Sequence, residues 1–127
     1  MTNHDAITKA ISIITSHDDY PATLPIYPIS RKKDARGECI VVNSLGFPST
    51  VLQVGVVNVN IHVPDKAGLP DNKRMNTIAA IVRDAINEYS SPKSPYIDFE
   101  ADFESVFQDG NNEHVFNLRF KATMLND

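Results

Sequence analysis

The sequence predicts one α+β domain, in which a mixed and mostly antiparallel β-sheet is flanked by two α-helices and ends in a C-terminal hairpin. Three patterns predict this class: two segments with helical spacing of apolar residues, an alternating run in mid-chain, and two alternating runs near the end. The chain has 127 residues, which suits one domain, so we assign residues 1–127 to a single domain. With 42% apolar and 22% charged residues, its composition is typical of a globular protein.

The two helices are predicted from apolar residues spaced three and four positions apart. The first covers residues 5–16, where the apolar positions are Ile7, Ala10, Ile11 and Ile14. The second runs from about residue 73 to residue 89, with Asp71 or Asn72 as its N-cap and residues 90–92 (Ser, Ser, Pro) as its stop. Its broad apolar stripe comprises Met75, Ile78, Ala79, Val82, Ala85, Ile86 and Tyr89.

A proline-rich segment and two strands are predicted between the helices. The prolines among residues 21–28 exclude a helix and favour an extended segment along the body of the domain. Residues 38–43 form a short strand, and residues 46–48 (Gly, Phe, Pro) form a turn. The clearest strand covers residues 51–63, where valine and isoleucine alternate with polar residues. Because Val54 and Val56 are out of phase with the later valines, we expect a bend or bulge near residues 55–57 that restores a common core face.

The last third of the chain predicts a long hairpin. Its first strand has Ile97, Phe99, Ala101 and Phe103 alternating with Asp98, Glu100, Asp102 and Glu104. Residues 109–112 (Asp, Gly, Asn, Asn) form the turn, and a second alternating run follows. We expect the acidic side chains to face Arg119 and Lys121 across the solvent side of the hairpin, and the phenylalanines to pack on the helices.

Charge and composition exclude several classes of function. The formal net charge is −4, and phosphate binding requires clustered lysine and arginine, so we expect no sequence-specific nucleic acid partner. Cys39 is the single cysteine, which favours a reducing compartment. The sequence begins without the pattern of a signal peptide and has no run of about 20 apolar residues. We therefore expect a soluble, cytoplasmic protein without a membrane partner.

The sequence contains none of the motifs that identify common catalytic or metal sites. It lacks a glycine-rich phosphate loop, a C-x-x-C pair and an H-E-x-x-H motif. The four histidines, which are His4, His17, His62 and His114, have no metal-ligand spacing. We interpret His62 as a structural histidine, and Cys39 as a core residue whose surroundings raise the thiol pKa. The prediction is a non-enzyme with no catalytic residue, no metal and no cofactor.

Two charged segments are candidate contact sites. The acidic strand carries Asp98, Glu100, Asp102 and Glu104. It is either a solvated strand face, which we favour, or a divalent-cation site of a small hydrolase or nuclease that uses the first three carboxylates. The basic segment carries Arg31, Lys32, Lys33 and Arg36. It is either a solvated loop or a patch that docks on an acidic neighbour, including another copy of this protein.

Taken over nearly the whole chain, this layout resembles the tail-terminator and minor tail protein families of long-tailed bacteriophages and prophages. The resemblance rests on the leading helix that ends at residues 17–20, the proline-rich residues 20–28, the strand 54–63, the helix 76–86 and the closing strand 115–122. It implies a subunit that forms a homo-oligomeric ring, usually a hexamer, at the head-proximal end of the tail tube. The implied partners are the tail tube and the head–tail connector, and the implied location is the virion tail after assembly in the host cytoplasm. No catalytic residues carry over from the family.

The two charged segments suggest how such a ring would close. A head-to-tail contact joins one patch to a different patch, so opposite charges on the two segments would complement each other. We therefore predict an interface between the basic and acidic segments of neighbouring copies. The remaining alternatives are the metal-dependent hydrolase or nuclease and an adaptor for a protein partner outside phages.

Overall fold

The computed structural model describes residues 3–31, 37–45, 52–89, 97–110 and 112–125. They form two helices and a five-stranded mixed sheet, which confirms the predicted α+β class. The elements in chain order are α1 (Asn3–Thr15), β1 (Ile26–Pro28), β2 (Cys39–Leu45), β3 (Leu52–Pro64), α2 (Asn72–Glu88), β4 (Ile97–Gln108) and β5 (Glu113–Leu125). None of the helices in these ranges is both long enough and apolar enough to span a bilayer. The turn predicted at residues 46–48 and the helix stop at residues 90–92 lie outside the described residues.

The sheet is built around the long central strand β3. The strand order is β1-β2-β3-β5-β4, with β1 parallel to β2 and all other pairs antiparallel. Val59 of β3 lies opposite Val42 of β2 and Leu118 of β5, and all three side chains are buried. The predicted hairpin therefore supplies two of the five strands, and it places β4 at one edge of the sheet.

Both helices pack on the same face of the sheet. Asp71 caps α2, because its side chain accepts a hydrogen bond from the backbone N–H of Arg74 at 3.1 Å. The predicted apolar stripe of α2 is buried at Met75, Ile78, Ala79, Val82, Ala85 and Ile86. It joins Ala6, Ile7, Ala10 and Ile14 of α1 in one core with the inward residues of β2, β3, β4 and β5. The opposite face of the sheet carries no helix in the described part of the chain.

The proline-rich strap begins with a turn, in which the Leu24 N–H donates to the Pro21 carbonyl oxygen at 3.1 Å, so the predicted extended conformation is confirmed only for its second half, which includes β1. Leu24 is buried in the core, and its carbonyl oxygen accepts a hydrogen bond from the Tyr20 hydroxyl at 2.8 Å. Burial raises the pKa of Tyr20 to about 12, helped by the nearby Cys39. The strap then forms β1, a short edge strand. Pro28 lacks an N–H group, which limits further pairing at this edge.

The bulge predicted near residues 55–57 is wrong. The pairing of β3 with β5 runs without a shift from Leu52, opposite Leu125, to Pro64, opposite Glu113. Val54 and Val56 instead lie on the face away from the helices, and Val54 is 42% exposed. The helices cover one face only, so the out-of-phase valines remain on the other face and no bulge is needed.

A bulge occurs in β4 instead, and it reverses the alternation of that strand. Ala101 pairs with Phe120 while Phe103 pairs with Arg119, which leaves Asp102 as the extra residue. Phe103 consequently faces away from the helices and is 57% exposed, so the expectation that it packs on them is wrong. The other phenylalanines expected on the helix side, Phe99, Phe116 and Phe120, do belong to the core.

Candidate functional site

A row of asparagines crosses the middle of the sheet face that carries no helix in the described residues, which we call the uncovered face. The Asn58 amide donates to Asn43 Oδ1 at 3.1 Å, and the Asn117 amide donates to Asn60 Oδ1 at 2.7 Å and to Asn58 Oδ1 at 3.3 Å. These bonds link β2, β3 and β5 side chain to side chain. The row satisfies part of its own hydrogen-bonding capacity, and all four of its side chains are half-buried.

The bulge divides β4 into two chemically different halves. Before it, the acidic half comprises residues 97–102, in which Asp98, Glu100 and Asp102 are exposed. None of these three carboxylates makes an ion pair with the described residues. Glu100 does lie opposite Lys121 in the register, as predicted. The predicted partnership of Arg119 with an acidic residue is replaced by its pairing with Phe103.

After the bulge, the apolar half of β4 comprises residues 103–108. Phe103, Val106 and Phe107 are 57%, 49% and 47% exposed, although each is a large apolar side chain. Phe103 and Phe107 project from the uncovered face, and Val106 projects from the helix side. Because β4 is the last strand of the sheet, no other strand of the described chain pairs with the outer backbone edge of residues 103–108. This combination of exposed apolar side chains and a free strand edge is typical of a protein–protein contact.

Glu104, the fourth predicted acidic residue, lies on the helix side because of the reversed alternation. Its carboxylate binds the Arg83 guanidinium of α2 through two contacts, at 2.7 and 2.9 Å. Both side chains are about two-fifths exposed, at 37% for Arg83 and 41% for Glu104. The pair ties β4 to the helix layer, so Glu104 does not share a surface with Asp98 and Glu100.

An ionic cluster lies at the end of the sheet where β5 begins. Arg31, which follows β1, binds Glu113 through two parallel contacts of 2.8 Å. The Glu113 side chain is 13% exposed and that of Arg31 is 27% exposed. His62 of β3 completes the group, since its Nδ1 atom is 3.7 Å from Glu113 and 3.6 Å from Asp109. The cluster connects the strap, the central strand and the hairpin turn.

Burial and the Arg31 charge act in opposite directions on this cluster. Burial tends to raise the pKa of Glu113, but the hydrogen bonds and charge of Arg31 outweigh it and leave that pKa below its ordinary value. Burial lowers the pKa of His62, which favours the neutral imidazole despite the nearby carboxylates. Glu113 and Arg31 therefore form a partly buried ion pair beside a neutral histidine.

Among the described residues, one group of three His, Cys, Asp or Glu side chains has possible metal-ligand atoms that all lie within 4.8 Å of one another. It comprises His62, Asp109 and Glu113. A divalent cation requires carboxylate oxygens that are free to bind it. Both Glu113 oxygens already accept hydrogen bonds from Arg31, whose positive charge would also repel an incoming cation. The group is therefore better suited to holding elements of the fold together than to binding a metal.

Cys39 is buried beside this cluster at the start of β2. Burial raises the pKa of its thiol, and the opposing effect of Arg31 does not overcome this shift. The direction agrees with the sequence-based expectation. A buried thiol with a raised pKa is a poor nucleophile at neutral pH.

The structure brings together few of the residues that the sequence singled out. Lys32, Lys33 and Arg36 lie outside the described residues, and Arg31 is bound to Glu113 within its own chain. Asp98, Glu100 and Asp102 are not among the carboxylates that converge on one point. Sequence reasoning missed the ionic cluster, since Arg31 and Glu113 are 82 positions apart and no local pattern links them.

Comparison with known proteins adds no family to this description. No protein-family model matches the chain. A search of curated proteins also gives no significant match.

Proposed function

We propose that this protein is a structural subunit of a phage tail, which forms a ring at the head-proximal end of the tail tube. The family resemblance of the sequence suggests the ring, and one structural observation supports an assembly role. The sheet face away from the helices carries no helix in the described chain, and five large apolar side chains on that face or at the β4 edge are more than 40% exposed: Leu45, Val54, Phe103, Val106 and Phe107. Exposed apolar surface of this kind marks contacts with other proteins.

The distribution of charge supports a head-to-tail contact between copies. The acidic half of β4 lies at one edge of the sheet, and the sequence carries a separate basic segment of Arg31, Lys32, Lys33 and Arg36, of which the structure describes Arg31. Two different patches of opposite charge allow each copy to bind the next in the same orientation, which is the requirement for a closed ring. Because Arg31 is bound to Glu113, we assign the basic side of the contact chiefly to Lys32, Lys33 and Arg36.

No specific observation favours the alternative of a metal-dependent hydrolase or nuclease. Such an enzyme needs carboxylates that converge on a cation, and Asp98, Glu100 and Asp102 do not form such a group. Calorimetric titration with Mg²⁺ and Mn²⁺ tests this alternative. Specific binding that is lost in Asp98→Asn would favour the enzyme, whereas the proposed role requires no cation. An adaptor outside phages would share the same surfaces and would differ in its partner.

The proposed ring is tested by light scattering over a concentration series, combined with negative-stain imaging. We expect a discrete closed oligomer with a central hole. The charge reversal Lys32→Glu with Lys33→Glu should dissociate it, and adding Asp98→Lys with Glu100→Lys should restore it. Lys73→Glu is the control, because Lys73 is exposed on α2 and belongs to neither charged segment. A monomer at every concentration, or equal effects of the paired reversal and the control, would contradict the proposal.

A further inference from the structure

We propose that the apolar half of β4 pairs antiparallel with the same segment of a second copy, around a two-fold axis at Ser105. The segment has the two features that such pairing needs. Its outer backbone edge is free in the described chain, and Phe103, Val106 and Phe107 are about half exposed along it. A strand added at this edge would satisfy backbone groups and cover apolar side chains at the same time.

The partner strand comes most readily from β4 of another copy, because the other sheet edge is poorly suited to pairing. That edge is β1, which has only three residues and ends in Pro28. Proline cannot donate a backbone hydrogen bond, so it interrupts any added strand. The apolar half of β4, in contrast, contains no proline and no residue with a positive φ angle.

Charge excludes two of the neighbouring registers of this self-pairing. In an antiparallel two-fold pair, residues at equal distances on either side of the centre lie opposite each other. A centre at Phe103 would oppose Asp102 and Glu104, and a centre at Glu104 would oppose the two Glu104 carboxylates. Such like-charge pairs are destabilising. A centre at Ser105 avoids both of these carboxylate pairs.

The same register also matches the apolar side chains. It places Phe103 opposite Phe107 of the second copy, and it does so twice because of the symmetry. Both phenylalanines lie on the uncovered sheet face, so two phenylalanine pairs would form, one on each side of the axis. Asp98 and Glu100 fall beyond the paired segment. The acidic half of β4 therefore stays available, and the inference does not depend on the proposed ring.

A disulfide across the axis tests this arrangement. Opposing residues of an antiparallel pair have Cα atoms about 4.5 or 5.5 Å apart, and both spacings lie within the roughly 4.4–6.8 Å range of disulfides. We expect Ser105→Cys to form a covalent dimer under mild oxidation at micromolar protein concentration. Asp98→Cys is the control, because it lies on the same strand and face but far from the axis. Cys39 is buried and present in both variants, so it does not distinguish them.

A second variant removes the apolar contact without the need for a disulfide. Phe103→Asp places a carboxylate opposite Phe107 of the second copy, and we expect at least a tenfold weaker dimer by analytical ultracentrifugation. Phe103→Leu should retain most of the association. Because Phe103 is 57% exposed, neither change should lower the thermal midpoint substantially. Equal disulfide yields for Ser105→Cys and Asp98→Cys, or unchanged association in Phe103→Asp, would overturn the pairing. A ring that assembles while Ser105→Cys stays uncrosslinked would overturn it and leave the proposed function intact.

Discussion

Replacing Arg31 with methionine should show how strongly the stability of the protein depends on the guanidinium group in the ionic cluster. The substitution keeps the apolar length of the side chain but removes the guanidinium that makes two 2.8 Å contacts with Glu113. Breaking a fully buried ion pair costs roughly 3–5 kcal/mol, because an unpaired charge remains inside. Glu113 is 13% exposed, so water relieves part of this cost. We expect Arg31→Met to lower the free energy of unfolding at pH 7 by about 2–3 kcal/mol.

The pH dependence of this loss has a definite sign. In the native protein the pKa of Glu113 is below its unfolded value, so Glu113 contributes stability above about pH 4.3, which is lost as the pH falls through the folded pKa. Without Arg31, burial is the main remaining influence and raises the folded pKa above the unfolded one. The destabilisation that Glu113 causes in Arg31→Met should therefore shrink as the pH falls from 7 to 5, because protonation removes the unpaired charge.

Urea unfolding at pH 7, 6 and 5 and constant ionic strength measures the effect, with Arg31→Met/Glu113→Gln as control. The control retains His62, whose lowered pKa makes the protein lose stability as the pH falls below about 6.5. The difference between the two variants consequently reports the Glu113 carboxylate together with its effect on His62. We expect the double variant to be more stable at pH 7 and the difference to shrink toward pH 5. Equal stability at pH 7, or a constant difference, would refute the reasoning.

Three further predictions concern the fold. Asp71→Ala should lower the free energy of unfolding by about 1 kcal/mol, because it removes the cap bond to Arg74, whereas Asp71→Ser should retain most of the stability in urea unfolding. Leu118→Ala should lower the free energy of unfolding by about 2–5 kcal/mol, since this side chain is 1% exposed in the core. A calorimetric unfolding midpoint equal to that of the native protein would contradict the burial of Leu118. Tyr20→Phe should lower the free energy of unfolding by about 1 kcal/mol, because it removes the hydrogen bond to Leu24. Because the pKa of Tyr20 is raised to about 12, the native protein should lose stability between about pH 10 and 12. Unfolding measurements at alkaline pH should show that Tyr20→Phe lacks this loss.

Much of the fold was predictable because local periodicity reports directly on burial. The apolar stripe of α2 and the alternation of β5 each identify the face that packs in the core, and the structure confirms both. Asp71 was also predictable as a cap, since capping involves a residue and the backbone three positions later. The two errors, at Val54 and at Phe103, share one cause. Periodicity in the sequence shows neither where a strand bulges nor which of its apolar side chains stays exposed.

Less of the candidate site was predictable from sequence. The acidic residues Asp98 and Glu100 were correctly placed on the solvent side of the hairpin. The apolar half of β4 depends on the bulge at Asp102, which no residue type in that strand announces. The asparagine row depends on the register of three strands. Each asparagine by itself is an ordinary polar position in an alternating strand.

The sequence by itself determined the α+β class, the helix faces, the hairpin and the chemical types of its exposed residues, because these follow from interactions within a few positions of the chain. Only the tertiary structure decided that both helices cover one face of the sheet, that β4 lies at a free edge, and that Arg31 binds Glu113 rather than solvent. The physical reason is that strand order and long-range ion pairs depend on how distant segments share one core. Such choices minimise the energy of the whole domain, and local sequence patterns record them only indirectly.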